Sequence, residues 1–282
     1  MHQTFFNLPI PTLLKAIENK QLEGIPFMKA ELIKKYLARS PATSKGGMKH
    51  PRTGIRSTRE TRAQRQAQLR RELPETVPIQ HPQDKNDSSN NVFCFAALAD
   101  KQSGTLYTDV TGTLPVMSLD GYQYYFIAYD YDTNYIYAIP IKDIQDKTII
   151  AAFDEVFQDL TDKGYKPTLN VTGNQATRPL KKYLKTKNCK WQFVEPHNHR
   201  VNAAERAIQT FKNHFIRGLC TTDQDWPMQL WDQLTTQALI TLNLVRTSRI
   251  DSSKSAYHQI HGHKFDWNRY PMAPPGTKAV IW

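Results

Sequence analysis

The sequence predicts an α/β fold, a mixed five-stranded sheet with helices on both faces in the order β-β-β-α-β-α-β-α. Three observations lead there. Between Gly104 and Ile141 three strand-like runs follow one another, separated by turn-rich segments, which makes an antiparallel meander. From Ile149 onward helical stripes alternate with short aromatic or β-branched runs, the pattern of parallel strands joined by crossovers. Finally, Asn202 to Leu219 carries Ala204, Ile208, Phe211, Phe215 and Leu219 at intervals of three or four, one helical stripe that requires a core.

In chain order, residues 1–45 read as two short helices. Leu13, Leu14 and Ile17 follow Pro11-Thr12, and Leu32, Ile33, Tyr36 and Leu37 make a second stripe. Helices this short are stable only when their apolar face docks on something else. Residues 46–91 are a basic arm and linker. Gly46 to Arg71 holds eight Lys or Arg, among them Arg59, Arg62 and Arg65, against the single acid Glu60. Pro74, Pro78 and Pro82, followed by Gln83 to Asn91, then interrupt regular structure.

The α/β domain is placed at 92–250. Its first strand is Gly104 to Gly112, its second Tyr122 to Ala128, its third Tyr135 to Ile141, with Asp130 to Asn134 as the turn between the last two. Ile149, Ile150, Phe153, Val156, Phe157 and Leu160 define a helix closed by Gly164. Pro167 to Val171 is the fourth strand, Leu180, Tyr183 and Leu184 mark a helix, and Trp191 to Val194 is the fifth strand. The stripe from Ala204 follows, and then a helix beginning near Pro227 whose Trp226, Trp231 and Leu234 belong to a core or to a self-association surface. Residues 251–282 form a C-terminal extension.

Composition narrows the partners. A net charge of +11 and a pI near 9.5 point to a polyanion, with DNA or RNA ahead of an anionic membrane. No run of eighteen apolar residues and no basic-then-hydrophobic leader is present, so neither a membrane span nor a secretion signal is expected. The three cysteines, Cys94, Cys189 and Cys220, are widely spaced, which excludes a disulfide framework and a cysteine zinc site and fits an intracellular compartment. His197 and His199 supply only two ligands to any zinc site.

The chemistry is sought on one helix face. Glu205, Gln209 and Lys212 stand at i, i+4 and i+7, so an acid, an amide and an ammonium share a side. Glu205 also completes a capping box with Asn202, three residues before it, and that pattern alone accounts for an acid at this place. Asp109, near the end of the first strand, is by itself equally a strand-end acid.

The strand order, with Asp109 on the first strand and Glu205 on the helix after the fifth, resembles the catalytic core of retroviral and retrotransposon integrases, which has an RNase H-like fold. Asp109 matches the first catalytic acid of that family. Thr172-Gly173-Asn174 matches the turn after the fourth strand, where the family has Asp-Asn, and Pro196 to Glu205 resembles its loop and final catalytic acid. Ser255 to Gly262 is similar to the segment closing the core in copia-type elements, and Pro274 to Val280 looks like the first strand of a further, truncated domain. Residues 5–58, with Lys45-Gly-Gly-Met-Lys49 and Arg56-Ser-Thr58, resemble the pre-integrase region of such polyproteins. The chain therefore looks like an internal piece of a retroelement polyprotein.

The resemblance implies Mg²⁺ or Mn²⁺ held by Asp109 and Glu205, DNA partners in the form of element ends and target, self-association, and a nuclear location if the chain is functional, otherwise a cytoplasmic one. It implies neither a membrane nor a small-molecule substrate. Asn174, His199, Arg200, Gln209 and Lys212 are expected to contact DNA, with Arg59, Arg62 and Arg65 of the basic arm. One position departs from the pattern. Gly173 replaces the second acid, and no Asp or Glu occurs from Lys163 to Lys190. Asn170 and Asn174 offer only neutral amide oxygens there, so two-metal chemistry is expected to be lost or weak.

Overall fold

A computed structural model of the chain describes residues 1–48, 103–172, 177–193 and 203–278. The basic arm from Lys49 and the linker to Asn91 lie outside the described residues. Those from Met1 to Gly47 and from Ser103 onward belong to one compact unit.

The expected sheet is present. Strands β1 (Thr105–Val110), β2 (Tyr124–Asp130) and β3 (Ile136–Ile141) form the antiparallel meander, and β4 (Leu169–Thr172) and β5 (Lys190–Phe193) add in parallel on the other side of β1, giving the order β3-β2-β1-β4-β5. That order is the RNase H-like one. Its crossovers are α4 (Asp146–Asp162) and α5 (Arg178–Thr186), whose N-cap Thr177 accepts a hydrogen bond from the Leu180 N–H.

Period-2 alternation divides the strands between two cores. Leu106, Phe126 and Ala128 face α4 and α5, packing with Phe153, Val156, Leu160 and Leu184. Tyr125, Ile127 and Tyr129 face the long helix α6 (Ala203–Leu219), meeting Ala207, Phe211 and Phe215. The residues from Met228 to Leu234 form a 3-10 helix that runs into α7 (Thr235–Leu244), where a single helix from Pro227 was expected. Trp231 and Leu234 are buried in the second core and half-buried Trp226 packs against it, which decides for the core over a self-association surface. Two buried polar ties fix this layer. Asn243 accepts from the Ile136 N–H and donates to the Ile136 carbonyl, both at 2.9 Å, and the Tyr125 hydroxyl meets the Thr235 hydroxyl at 2.7 Å.

The N-terminal segment docks as its apolar stripes require. Helices α1 (Ile10–Glu18) and α2 (Ala30–Tyr36) bury Leu13, Ala16 and Ile33 with Phe5 and Leu8 against Leu244 of α7, Tyr257 of α8 (Ala256–His261) and Phe265. The α2 stripe is narrower than the sequence indicated, since Leu32 and Tyr36 are exposed while Ile33 is buried and Leu37 packs half-buried against the same cluster. A helix that the sequence reading did not include, α3 (Pro41–Gly47), lies against α6. Its Gly46 allows the approach, because a Cβ there would sit 2.3 Å from Arg217 Cγ.

Phe6 joins this segment to the second core. Its ring is fully buried, stacks on His214 with 5.1 Å between centroids, and lies over Gly218, where an added Cβ would come within 2.3 Å of the ring. Phe6→Ala is expected to lower unfolding free energy by about 4 kcal/mol, the order seen for emptying a buried aromatic site. Urea denaturation of the full chain measures it, and a loss below about 1 kcal/mol would mean that the N-terminal segment contributes little to the unit.

Candidate metal centre and the cationic groove beside it

Asp109 is held by the middle of the sheet. It is the penultimate residue of β1, pairs across to Ile127 of β2, and follows Thr108, whose parallel partner Thr172 is the last residue of β4. Alternation puts its side chain on the face that carries Tyr107 and Ile127, the face covered by α6. Asp109 Oδ1 accepts the Val110 N–H at 2.9 Å. The carboxylate thus stands half-buried at the C-terminal end of two adjacent parallel strands.

Glu205 lies in the first turn of α6, where the helix dipole favours an anion. The shared polar side predicted from spacing is real. Glu205 and Gln209 are exposed, Lys212 is half-buried, and Ala204, Ala207, Phe211, His214, Phe215 and Gly218 are buried on the opposite arc. Gln209 donates to Asn213 Oδ1 at 2.6 Å, which holds its amide along the helix. Both carboxylates therefore belong to the same layer of the molecule, Asp109 on the sheet face and Glu205 on the helix that covers it.

The other expected positions are distributed differently. Gly173, Asn174, His199, Arg200, Arg59, Arg62 and Arg65 lie outside the described residues, as does Asn202 of the capping box. Asn170 does not serve the site. It is fully buried on the opposite face with Leu106, and its Oδ1 accepts the Thr108 hydroxyl at 3.1 Å. A strand register of one residue decides this, because neighbours along a strand point to opposite faces.

Among the described residues no group of three His, Cys, Asp or Glu side chains is gathered to hold a metal ion. Asp109 and Glu205 are two hard oxygen donors, suited to Mg²⁺ or Mn²⁺, which take one or two carboxylates and keep several waters. The described residues supply these two carboxylates and gather no third His, Cys, Asp or Glu with them.

The fold also gathers residues that the sequence gave no reason to connect. Arg206, next to Glu205 but on another side of α6, lines a 200 Å³ cavity with Arg246 and Arg249 from the segment after α7 and with Tyr129 and Tyr131. A larger cavity of 610 Å³ shares Asn134, Thr210 and Arg246 with it and adds Lys15, His214 and Arg217. Only tertiary structure brings positions 15, 206, 217, 246 and 249 together, so no local signal marks them.

No protein-family model matches the chain, and no curated protein matches it in sequence. Solved structures similar in shape include the catalytic core domain of BIV integrase, with 14% identity, 57% of this chain and 95% of that chain covered, and a TM-score of 0.42. The HTLV-2 integrase catalytic core domain in complex with magnesium, in its dimeric form, matches at 18% identity over 56% of this chain and 94% of that one, TM-score 0.41. A chain from the simian T-cell lymphotropic virus intasome in complex with PP2A regulatory subunit B56 gamma matches at 16% identity, covering 63% of this chain and 59% of that one, TM-score 0.45. Strand order and register, rather than these likenesses, define the class: an RNase H-like α/β protein with one carboxylate on the central strand and another on the helix that covers it.

Proposed function

We propose that this chain is the integrase-like core of a retroelement of the copia type, preceded by part of a pre-integrase region, and that it binds DNA while its phosphoryl-transfer chemistry is impaired. The observation that carries the reading is the placement of Asp109 and Glu205 in one layer of an RNase H-like fold. Strand cutting and joining are in-line displacements at phosphorus, in which negative charge builds on the attacking and leaving oxygens. A divalent ion supplies charge stabilisation to those oxygens when bound, and Asp109 and Glu205 are the residues of this chain that would hold it. Gly173 contributes no oxygen donor from its side chain, so a second ion lacks its ligand.

A second reading, a non-catalytic nucleic-acid-binding or assembly remnant of a retroelement polyprotein, is favoured by the charge of +11 and by Gly173 at the position of the second acid. Strand transfer separates the two. The unmodified full chain, assayed with Mg²⁺ or Mn²⁺ on a labelled duplex, is expected to yield product at or near background and yet to bind the duplex, with affinity falling about a thousandfold or more between 50 and 200 mM salt if about six phosphates are contacted. Salt-insensitive binding, or none, would remove DNA as the partner. Efficient metal-dependent product from the unmodified chain would remove the impairment. Self-association and nuclear location belong to the same proposal, checked by sedimentation velocity and by imaging of a tagged chain.

A further inference from the structure

The paired cavities beside α6 carry an inference that rests on the proposed nucleic-acid binding and names a surface for it apart from the paired acids and the basic arm. Their described lining includes five cationic side chains, Lys15, Arg206, Arg217, Arg246 and Arg249, and no carboxylate. None of the five forms an ion pair among the described residues. Clustered cations repel one another, and an uncompensated cluster in a concave surface focuses potential on an anionic ligand.

A polar atom left over points the same way. Arg217 Nε, in a residue lining the larger cavity, is buried and has no acceptor among the described residues. An orphaned buried N–H is disfavoured unless a ligand supplies the acceptor. Arg246 is fixed in place, Nε donating to the Asn134 carbonyl at 2.8 Å and Nη2 to Asn134 Oδ1 at 2.5 Å, with its guanidinium over the Tyr129 ring. Two acids stand behind the far end, and both are occupied. Asp130 accepts from the Thr133 N–H and hydroxyl, and Asp132 from Ser103 and the Gly104 N–H.

The shape favours a polymer over a single anion. The two cavities adjoin, with Asn134, Thr210 and Arg246 lining both, so the cations form a track along neighbouring hollows rather than one cup. At the outer end Arg249 lies 3.9 Å from the centroid of Tyr131, a partly exposed ring, a guanidinium and aromatic pair of the kind that accompanies a nucleic-acid strand. We propose that this groove, between α1, α6 and the segment after α7, binds the phosphodiester backbone of nucleic acid.

The test uses the full chain with a fluorescein-labelled 12-nucleotide single strand and a 20-base-pair duplex, both containing 5-bromouracil, at 100 mM salt. Anisotropy gives affinity, and ultraviolet crosslinking followed by peptide mapping gives the place, which separates the groove from the basic arm. Arg206→Glu/Arg249→Glu is expected to weaken binding at least tenfold and to abolish crosslinks to the peptides holding Tyr131 and residues 203–217. Lys15→Glu, at the other end of the track and exposed on α1, is expected to weaken binding severalfold, and circular dichroism checks that both variants fold. The ligand arms identify the source: a single strand preferred over duplex assigns the groove to unpaired strands, and the reverse assigns it to duplex backbone. Crosslinks confined to the basic arm, with affinities unchanged within twofold in both variants, would overturn the proposal. So would binding of inorganic tripolyphosphate at the groove with no oligonucleotide crosslink there.

Discussion

Replacing Gly173 with Asp is expected to raise metal-dependent strand transfer at least a thousandfold over the unmodified chain. The size follows from what a missing carboxylate withholds. A metal ion at developing oxyanions contributes several kcal/mol, and each 1.36 kcal/mol is a factor of ten in rate, so about 4 kcal/mol corresponds to about a thousandfold. Asp109 is already seated at the C-terminal end of β1 beside β4, and Gly173 directly follows Thr172, the last residue of β4. Gly173→Asn, which adds an amide without charge, is expected to stay silent, as are Gly173→Asp/Asp109→Asn and Gly173→Asp/Glu205→Gln. A gain in Gly173→Asp that survives removal of Glu205 would detach the helix from the site.

The second large effect is on stability against acid, and two buried groups act in opposite directions. Burial, with Arg217 nearby, pushes His214 down to about 3 from its ordinary value of 6.5. Between pH 6.5 and 3 the unfolded chain takes up a proton that the native state refuses, so this residue's stabilisation, present at neutral pH, is lost as pH falls. At pH 4 the loss is about 3 kcal/mol, at 1.36 kcal/mol per unit. Burial pushes Asp130 up to about 6 from 3.8, outweighing its bonds to Thr133. There the native state holds the proton more tightly, so stability increases as pH falls from 6 to 4, by about 2 kcal/mol. His214→Gln, which removes the titrating ring, should therefore make the unfolding free energy less sensitive to acid between pH 7 and 4 by about 3 kcal/mol. Asp130→Asn should make it more sensitive by about 2 kcal/mol. Urea unfolding at the two pH values reads both. Parallel shifts in both variants would contradict the buried, uncharged state of His214.

The meander, the crossover helices and the α6 stripe were legible because each buries a face with its own period, 2 in the strands and 3.6 in the helices. Strand ends moved by a residue or two, as in β4 and β5, because side-chain pattern does not specify where backbone pairing stops. Helix α3 escaped notice because Gly46 and Gly47 read as the start of the arm; what holds them in a helix is close packing against Arg217, a contact across more than 160 residues of chain. The continuous helix expected from Pro227 divides into a 3-10 segment and α7, which periodicity alone does not reveal. His214 presented a different difficulty. It occupies the apolar arc of α6, where a buried imidazole and an exposed one have the same sequence signature. Spacing and family resemblance point to Asp109, Glu205, Gln209 and Lys212 as candidates, whereas Arg206, Arg246 and Arg249 meet only when the segment after α7 returns to α6. Asn170 shows the converse: its chemistry suited a ligand, and the register of β4 turned it to the wrong face.

The most direct test of the paired acids is Mn²⁺ binding to the full chain, followed by the electron paramagnetic resonance signal of the free ion. The unmodified chain is expected to bind one ion weakly, Asp109→Asn and Glu205→Gln to bind none at that site, and Gly173→Asp to bind two. Two ions on the unmodified chain, or one ion indifferent to both Asp109 and Glu205, would contradict the assignment of these carboxylates to a single incomplete metal site.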